Sequence, residues 1–183
     1  MRVVAFYTKD TKYEEEAEIW KESFKSCNTL LFPIKNEGSW ELNCGKKSSV
    51  LLEALHSLNE PILYVDIDAR LMRDLEEIPE PELPGFCFLN YKTGDWDRQL
   101  ASGTIYLPQT ATSFKILLEW RNIQEANPEV WDQVTLQHVI ESNKYEYQIL
   151  PKDWLGVSRH QELPNPIIYH TQASRRLKAT VNE

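Results

Sequence analysis

Two hydrophobic periods alternate along the first half of the chain. Residues 3–7, Val-Val-Ala-Phe-Tyr, are an unbroken run of apolar and β-forming side chains and predict a strand. Tyr13, Ala17, Trp20, Phe24 and Cys27 then recur at spacings of three and four, which gives a helix one apolar face. Thr11 followed by Glu14 fits the capping-box pattern and predicts where that helix starts. Residues 30–34 predict a second strand. Val50, Leu51, Ala54, Leu55 and Leu58 mark a second helix, which Pro61 ends. Residues 62–65 are apolar throughout, as in a strand buried on both faces, and run into Asp66-Ile67-Asp68.

This alternation predicts an α/β fold with a mostly parallel, Rossmann-like central sheet and helices on both faces. Ligands are then expected at the carboxyl ends of the parallel strands. The second half is more mixed. It predicts strands over 85–91, 104–107, 147–150 and 167–169, and helices over 113–123 and 131–140. Between the halves, Ile78-Pro79-Glu80-Pro81-Glu82-Leu83-Pro84 reads as a stiff connector, because its prolines exclude both helix and strand ladders. No repeat or low-complexity segment interrupts the pattern. A length of 183 residues suits a single compact domain spanning 1–183.

Composition excludes several classes of function. Apolar residues make up 42 %, including six Trp and eight Tyr, which is too much for a disordered chain. No run approaches the roughly 20 apolar residues of a membrane helix, and the start reads as a strand and not as a signal peptide. Cys27, Cys44 and Cys87 are odd in number and widely spaced, which points to ordinary thiols in a reducing, cytoplasmic setting. The net charge of −8 repels polyanions, so general nucleic-acid binding is not expected. Basic residues gather only near the end, at Arg175, Arg176 and Lys178.

Asp66 and Asp68 carry the candidate chemistry. Residues two apart on an extended backbone point to the same side. Two carboxylates placed together repel, and a divalent cation between them relieves that repulsion. The same cation can bridge a diphosphate. A strand running into a polar loop would also contain such residues. A third reading is a haloacid-dehalogenase-like phosphatase, in which the first Asp of such a motif is the nucleophile. That motif usually opens the domain and carries Thr or Val at the fourth place after the first Asp. Here Arg70 stands at that place, and a complete strand-helix-strand-helix unit comes first.

Further residues extend the pattern. Gly38-Ser39-Trp40, Asn43 and Lys46-Lys47 precede the acidic pair within Leu63-Tyr64-Val65-Asp66-Ile67-Asp68-Ala69. Ala101-Ser102-Gly103-Thr104-Ile105-Tyr106-Leu107, Trp120, Trp131-Asp132-Gln133 and Ile168-Tyr169-His170-Thr171-Gln172-Ala173-Ser174-Arg175-Arg176 follow. In this order the chain resembles the nucleotide-diphospho-sugar transferases of the GT-A fold, and within them small members from bacteria and their phages.

The resemblance implies glycosyl transfer from a nucleotide-diphosphate sugar, a UDP-sugar in the first instance, with manganese or magnesium as cofactor. It implies a nucleotide-binding half over about 1–90 and a sugar- and acceptor-binding half over about 91–183. Asp66, Asp68 and His170 would hold the metal. Tyr7 and Thr8 would line the base or ribose pocket, unless Tyr7 is a core aromatic. Lys46 or Lys47 would contact the nucleotide, with one of the two facing solvent. Arg175 and Arg176 would neutralise the diphosphate, although Ala173 replaces the family's glycine between the His and the basic residue. Ser102 and Gly103 would meet the sugar, and Asp132 or Gln133 would lie at the reacting carbon. The acceptor could be a glycan, a protein, a small molecule or a modified nucleobase. A non-catalytic module that only binds nucleotide sugars has the same signature.

Overall fold

Alternate residues of the first strand point into two different cores. A computed structural model describes residues 1–89, 99–142, 144–158 and 163–174. The chain begins with β1 (Arg2–Thr8), α1 (Tyr13–Ser23), β2 (Thr29–Ile34), α2 (Trp40–Gly45), α3 (Lys47–Leu58) and β3 (Ile62–Val65). The short β4 (Ala69–Leu71), β5 (Gly85–Leu89), β6 (Gln99–Leu107), α4 (Ala111–Ala126) and α5 (Asp132–Glu141) follow. It continues with β7 (Gln148–Ile149), a 3-10 turn at Lys152–Trp154, β8 (Gly156–Val157) and β9 (Ile168–His170).

Six strands form the central sheet in the order β2-β1-β3-β6-β5-β7. β1 runs parallel to β2 and β3, β6 is antiparallel to β3 and β5, and β7 is parallel to β5. The expected α/β architecture is therefore present, with its parallel half built from the first three strands. Val3, Ala5, Leu63 and Val65 pack with Ala17, Trp20 and Phe24 on one face. Val4, Phe6, Ile62 and Tyr64 pack with Leu51, Leu55, Leu117, Trp120 and Leu136 on the other. Each large apolar side chain buried this way stabilises the fold by about 1.5–3 kcal/mol. A second sheet, in the order β4-β9-β8, stands beside the first.

Several boundaries differ from expectation for identifiable reasons. The first helix starts at Tyr13 and ends at Ser23, short of Cys27. Its box is displaced by one residue: Thr11 Oγ1 accepts from Tyr13 N–H at 3.2 Å, and Glu14 reaches back to Asp10 N–H at 3.2 Å. Asp10 can take part because it adopts a left-handed φ of 57°. β6 begins at Gln99, well before the expected residue 104, because Ala101-Ser102-Gly103 carries no β-branched or aromatic signal. The strand predicted over 85–91 is seen to Leu89, and its last two positions lie outside the described residues. Among the described residues, no helix is long and apolar enough to cross a membrane.

Candidate functional site

Two strand registers bring the candidate ligands together. β3 ends at Val65, opposite Thr104 of β6. Asp66, the next residue, donates its N–H to the Gly103 carbonyl at 2.8 Å. Antiparallel pairing of β4 with β9 sets Ala69 opposite His170, so the imidazole arrives beside the acidic turn. A one-residue slip would carry His170 to the other face of the sheet. The segment after β9 is fixed as well. Thr171 donates N–H and Oγ1 to the Asp68 carbonyl at 3.1 and 3.0 Å, and Ala173 N–H donates to Asp68 Oδ2 at 2.9 Å. Asp66, Asp68 and His170 each offer one ligand atom, and these atoms lie within 4.8 Å of one another.

The imidazole is oriented from behind. His170 Nε2 lies 3.0 Å from Thr104 Oγ1, while Nδ1 faces Asp68 Oδ1 at 3.6 Å. With a metal bound, the ring would carry its proton on Nε2 toward Thr104 and leave the Nδ1 lone pair for the ion, the arrangement of a metal-ligating histidine; without one, an Nδ1 proton would face Asp68. Burial works against ionisation of Asp68. The His170 ring, the Ala173 N–H and the charge of Lys47 outweigh it and hold the carboxyl below its usual range. Its contribution to stability is therefore present above the ordinary carboxyl range and fades as the pH falls through the lowered value.

Gly103 makes this approach possible. A β-carbon there would lie 2.8 Å from His170 Cε1 and 3.0 Å from Asp66 Oδ2. Gly103→Ala is therefore expected to destabilise the protein by about 1–3 kcal/mol, as overpacking does, and to spread the three ligands apart. Urea unfolding checks the first effect and a manganese titration the second. An alanine variant equal to wild type in both would refute the role given to Gly103.

Beside the triad lies a buried charge cluster. Lys47 begins α3 and is 3 % exposed. Its ammonium meets Asp132 Oδ2 at 2.8 Å, Asp66 Oδ1 at 3.0 Å, and Ser102 Oγ and carbonyl at 3.1 and 3.2 Å. Ser102 Oγ donates to Asp132 Oδ2 at 2.8 Å. Burial alone would discharge Lys47, but Asp132 and Asp66 dominate and raise its pKa, so it stays cationic. Three N–H donors facing four oxygens leave Lys47 holding carboxylates, which differs from the phosphate contact expected of it. Ser102 likewise donates its hydroxyl to Asp132. Asp132 is 4 % exposed, with its Oδ2 turned inward to Lys47 and Ser102.

The remaining expected residues divide between this edge and elsewhere. Lys46 is the solvent-facing member of the lysine pair and meets Glu37 at 3.3 Å. Gln133 is half-buried on α5. Tyr7 is half-buried against the core, and Thr8 Oγ1 bonds Thr11 Oγ1 at 2.9 Å. Arg175 and Arg176 lie outside the described residues. An open hollow of about 360 Å³ is lined by Lys9, Asp10, Pro33, Lys35 and Asn36, at the carboxyl ends of β1 and β2. β1 pairs with both β2 and β3, so this hollow lies beyond the same carboxyl edge of the parallel strands at which Asp66 ends β3.

Some members were not legible in the sequence. Tyr64 donates its hydroxyl to Asp66 Oδ1 at 2.5 Å, and Lys47 Nζ lies 5.1 Å from the centre of its ring. Burial and the Asp66 charge push the Tyr64 pKa well up, so it stays a donor. Thr104 orients His170. Tyr64 had the appearance of one more core aromatic, and Thr104 of a plain strand residue.

The donor set suits a divalent cation. Three carboxylates and one ammonium leave two negative charges when His170 is neutral. Two carboxylates with an imidazole match manganese better than calcium, which prefers oxygen alone.

No protein-family model and no curated protein matches the sequence. Among solved structures, the chain is similar to the crystal structure of a glycosyltransferase involved in the glycosylation of the major capsid of PBCV-1. The match has a TM-score of 0.73, covers 98 % of both chains, and has 12 % sequence identity. The chain shares the fold of that structure. On that fold, the acidic turn after β3 and the late histidine of β9 converge at the carboxyl edge of the parallel strands, where an α/β sheet places its ligand.

Proposed function

We propose that this protein is a metal-dependent glycosyltransferase that uses a nucleotide-diphosphate sugar, a UDP-sugar in the first instance. The observation that carries the reading is the convergence of Asp66, Asp68 and His170 within 4.8 Å on a glycosyltransferase fold. A manganese or magnesium ion held there would supply charge neutralisation for the departing diphosphate. Lys47 and Tyr64 fix Asp66 from behind, and Asp132 and Ser102 fix Lys47. The hollow at the ends of β1 and β2 is the place for the nucleoside, with Tyr7 and Thr8 behind it and Lys9 and Lys35 at its rim. Arg175 and Arg176 meet the diphosphate in this reading. Gln133 is offered to the sugar, while Asp132 acts through Lys47. The half before residue 90 thus holds the nucleotide, and the half after it holds sugar and acceptor.

A phosphatase using Asp66 as nucleophile would turn over simple aryl phosphates. The Oδ1 atom of Asp66 is already bound by Tyr64 and Lys47. We therefore expect no phosphate release from p-nitrophenyl phosphate, and slow manganese-dependent hydrolysis of UDP-glucose to UDP and glucose. Robust aryl-phosphate turnover with no UDP release would reverse the assignment.

A further inference from the structure

Trp131 combines exposure with a rigid mount. It is 53 % exposed, the second most exposed large apolar side chain among the described residues. Such a ring usually costs solubility and needs no special support. Here the carbonyls on both sides of it are held by buried side chains of α4. Gln124 Nε2 donates to the Val130 carbonyl at 2.9 Å, and Trp120 Nε1 donates to the Asp132 carbonyl at 3.1 Å. Thr135 Oγ1 joins the two donors, accepting from Trp120 at 3.0 Å and donating to Gln124 Oε1 at 2.5 Å. The Trp40 indole meets Trp131 edge to face, with centroids 5.7 Å apart and planes at 88°. Trp40 is itself the first residue of α2, whose Ser39 cap accepts from Leu42 N–H at 3.2 Å.

The mount also fixes direction. One residue after Trp131, the Asp132 carboxylate turns inward to Lys47, and Lys47 touches Asp66. Trp131 therefore adjoins the Lys47–Asp132 cluster through a single peptide unit, and Lys47 links that cluster to Asp66 of the triad. Val130 and Val134, 38 % and 49 % exposed, continue the apolar surface.

We propose that Trp131, braced by Trp40, is a stacking platform for one pyranose ring of a carbohydrate acceptor. This rests on the transferase reading and names its acceptor class. A pyranose has an apolar C–H face and a rim of hydroxyls, so it fits a flat aromatic face that stands next to a polar cluster. A half-exposed indole presents about 100 Å² by the usual size of aromatic side chains, which is the footprint of one sugar ring. A stable protein interface needs roughly 800 Å² from each partner, far more than Trp131 and two valines provide. The net charge of −8 disfavours a nucleic-acid strand in the same place.

Saturation-transfer NMR with cellobiose, lactose and maltose tests the platform, and sorbitol serves as the polyol without a ring face. Wild-type protein is expected to transfer saturation to the C–H protons of one ring of at least one disaccharide and not to sorbitol. Trp131→Ala should weaken that binding roughly tenfold, and Trp131→Phe should restore most of it. Equal signals from wild type and Trp131→Ala, or no disaccharide signal from wild type, would overturn the proposal. Sedimentation that reveals a dimer lost in Trp131→Ala would overturn it in favour of a second copy of the chain. Thermal shift of wild type with UDP-glucose and manganese separates the two levels. Stabilisation by the donor without disaccharide binding removes the platform alone, whereas disaccharide binding without donor stabilisation removes the transferase reading.

Discussion

Replacing Lys47 by methionine should lower the free energy of unfolding by about 3–5 kcal/mol, the usual cost of leaving a buried ionic partner uncompensated. Methionine matches the volume of the lysine stem, so packing changes little, and the cost falls on Asp132 and Asp66. Asp132 is 6 % exposed at its side chain and cannot recruit water easily, whereas Asp66 at 33 % can, which places the loss toward the lower end. For a chain of this length, each kcal/mol shifts the melting temperature by about 2–4 °C, so a drop of roughly 6–15 °C is expected. The double variant Lys47→Met with Asp132→Leu should recover part of the loss, because the buried charge then disappears with its partner. Guanidinium unfolding of wild type, Lys47→Met, Asp132→Leu and the double variant checks this. A single variant within 1 kcal/mol of wild type would mean that Lys47 does not hold the cluster together.

The second large effect concerns ligand binding and not the fold. Asp66→Asn and Asp68→Asn each remove one charged ligand while keeping the side-chain shape. Loss of groups that merely orient a ligand typically costs 10–100-fold in metal affinity, so loss of a ligand itself should cost about 100-fold or more. The two variants should differ in stability. Asp68 Oδ2 accepts the Ala173 N–H, so its amide must turn to keep that bond, and Asp68→Asn should melt slightly below Asp66→Asn. Isothermal titration with manganese measures both affinities. Wild-type affinity in either variant would exclude that residue from the triad.

Much of this architecture can be read from residue spacing, because it depends on local periodicity. The apolar run at 62–65 and the three-and-four spacing from Tyr13 to Phe24 needed only the strand and helix periods. The acidic pair could be read for the same reason, since its carboxylates share a turn. The joining of His170 to Asp68 could not be derived from spacing and was accessible only through family resemblance, because it depends on the β4–β9 register. β4 is only three residues long and gives no signal of its own, and the strand expected at 167–169, close to the observed β9, does not name its partner. The inward turn of Lys47, Ser102 and Asp132 was also hidden. Each is a polar residue that sequence reasoning directs toward ligand, and only the packing of α5 against β6 and the reach of Lys47 from α3 show that they satisfy one another. Gly103 was expected to approach a ligand closely, and in the structure it is His170 and Asp66 that approach it.

Unfolding of the wild-type protein with UDP-glucose, in manganese and again in excess chelator, tests whether the triad binds metal and donor together. At a UDP-glucose concentration of about 100 Kd, specific binding to the folded state adds roughly 2.7 kcal/mol. That stabilisation is expected in manganese, should fall to near zero in chelator, and should reappear when manganese is restored. Equal stabilisation with and without the metal would show that Asp66, Asp68 and His170 do not bind donor through a cation.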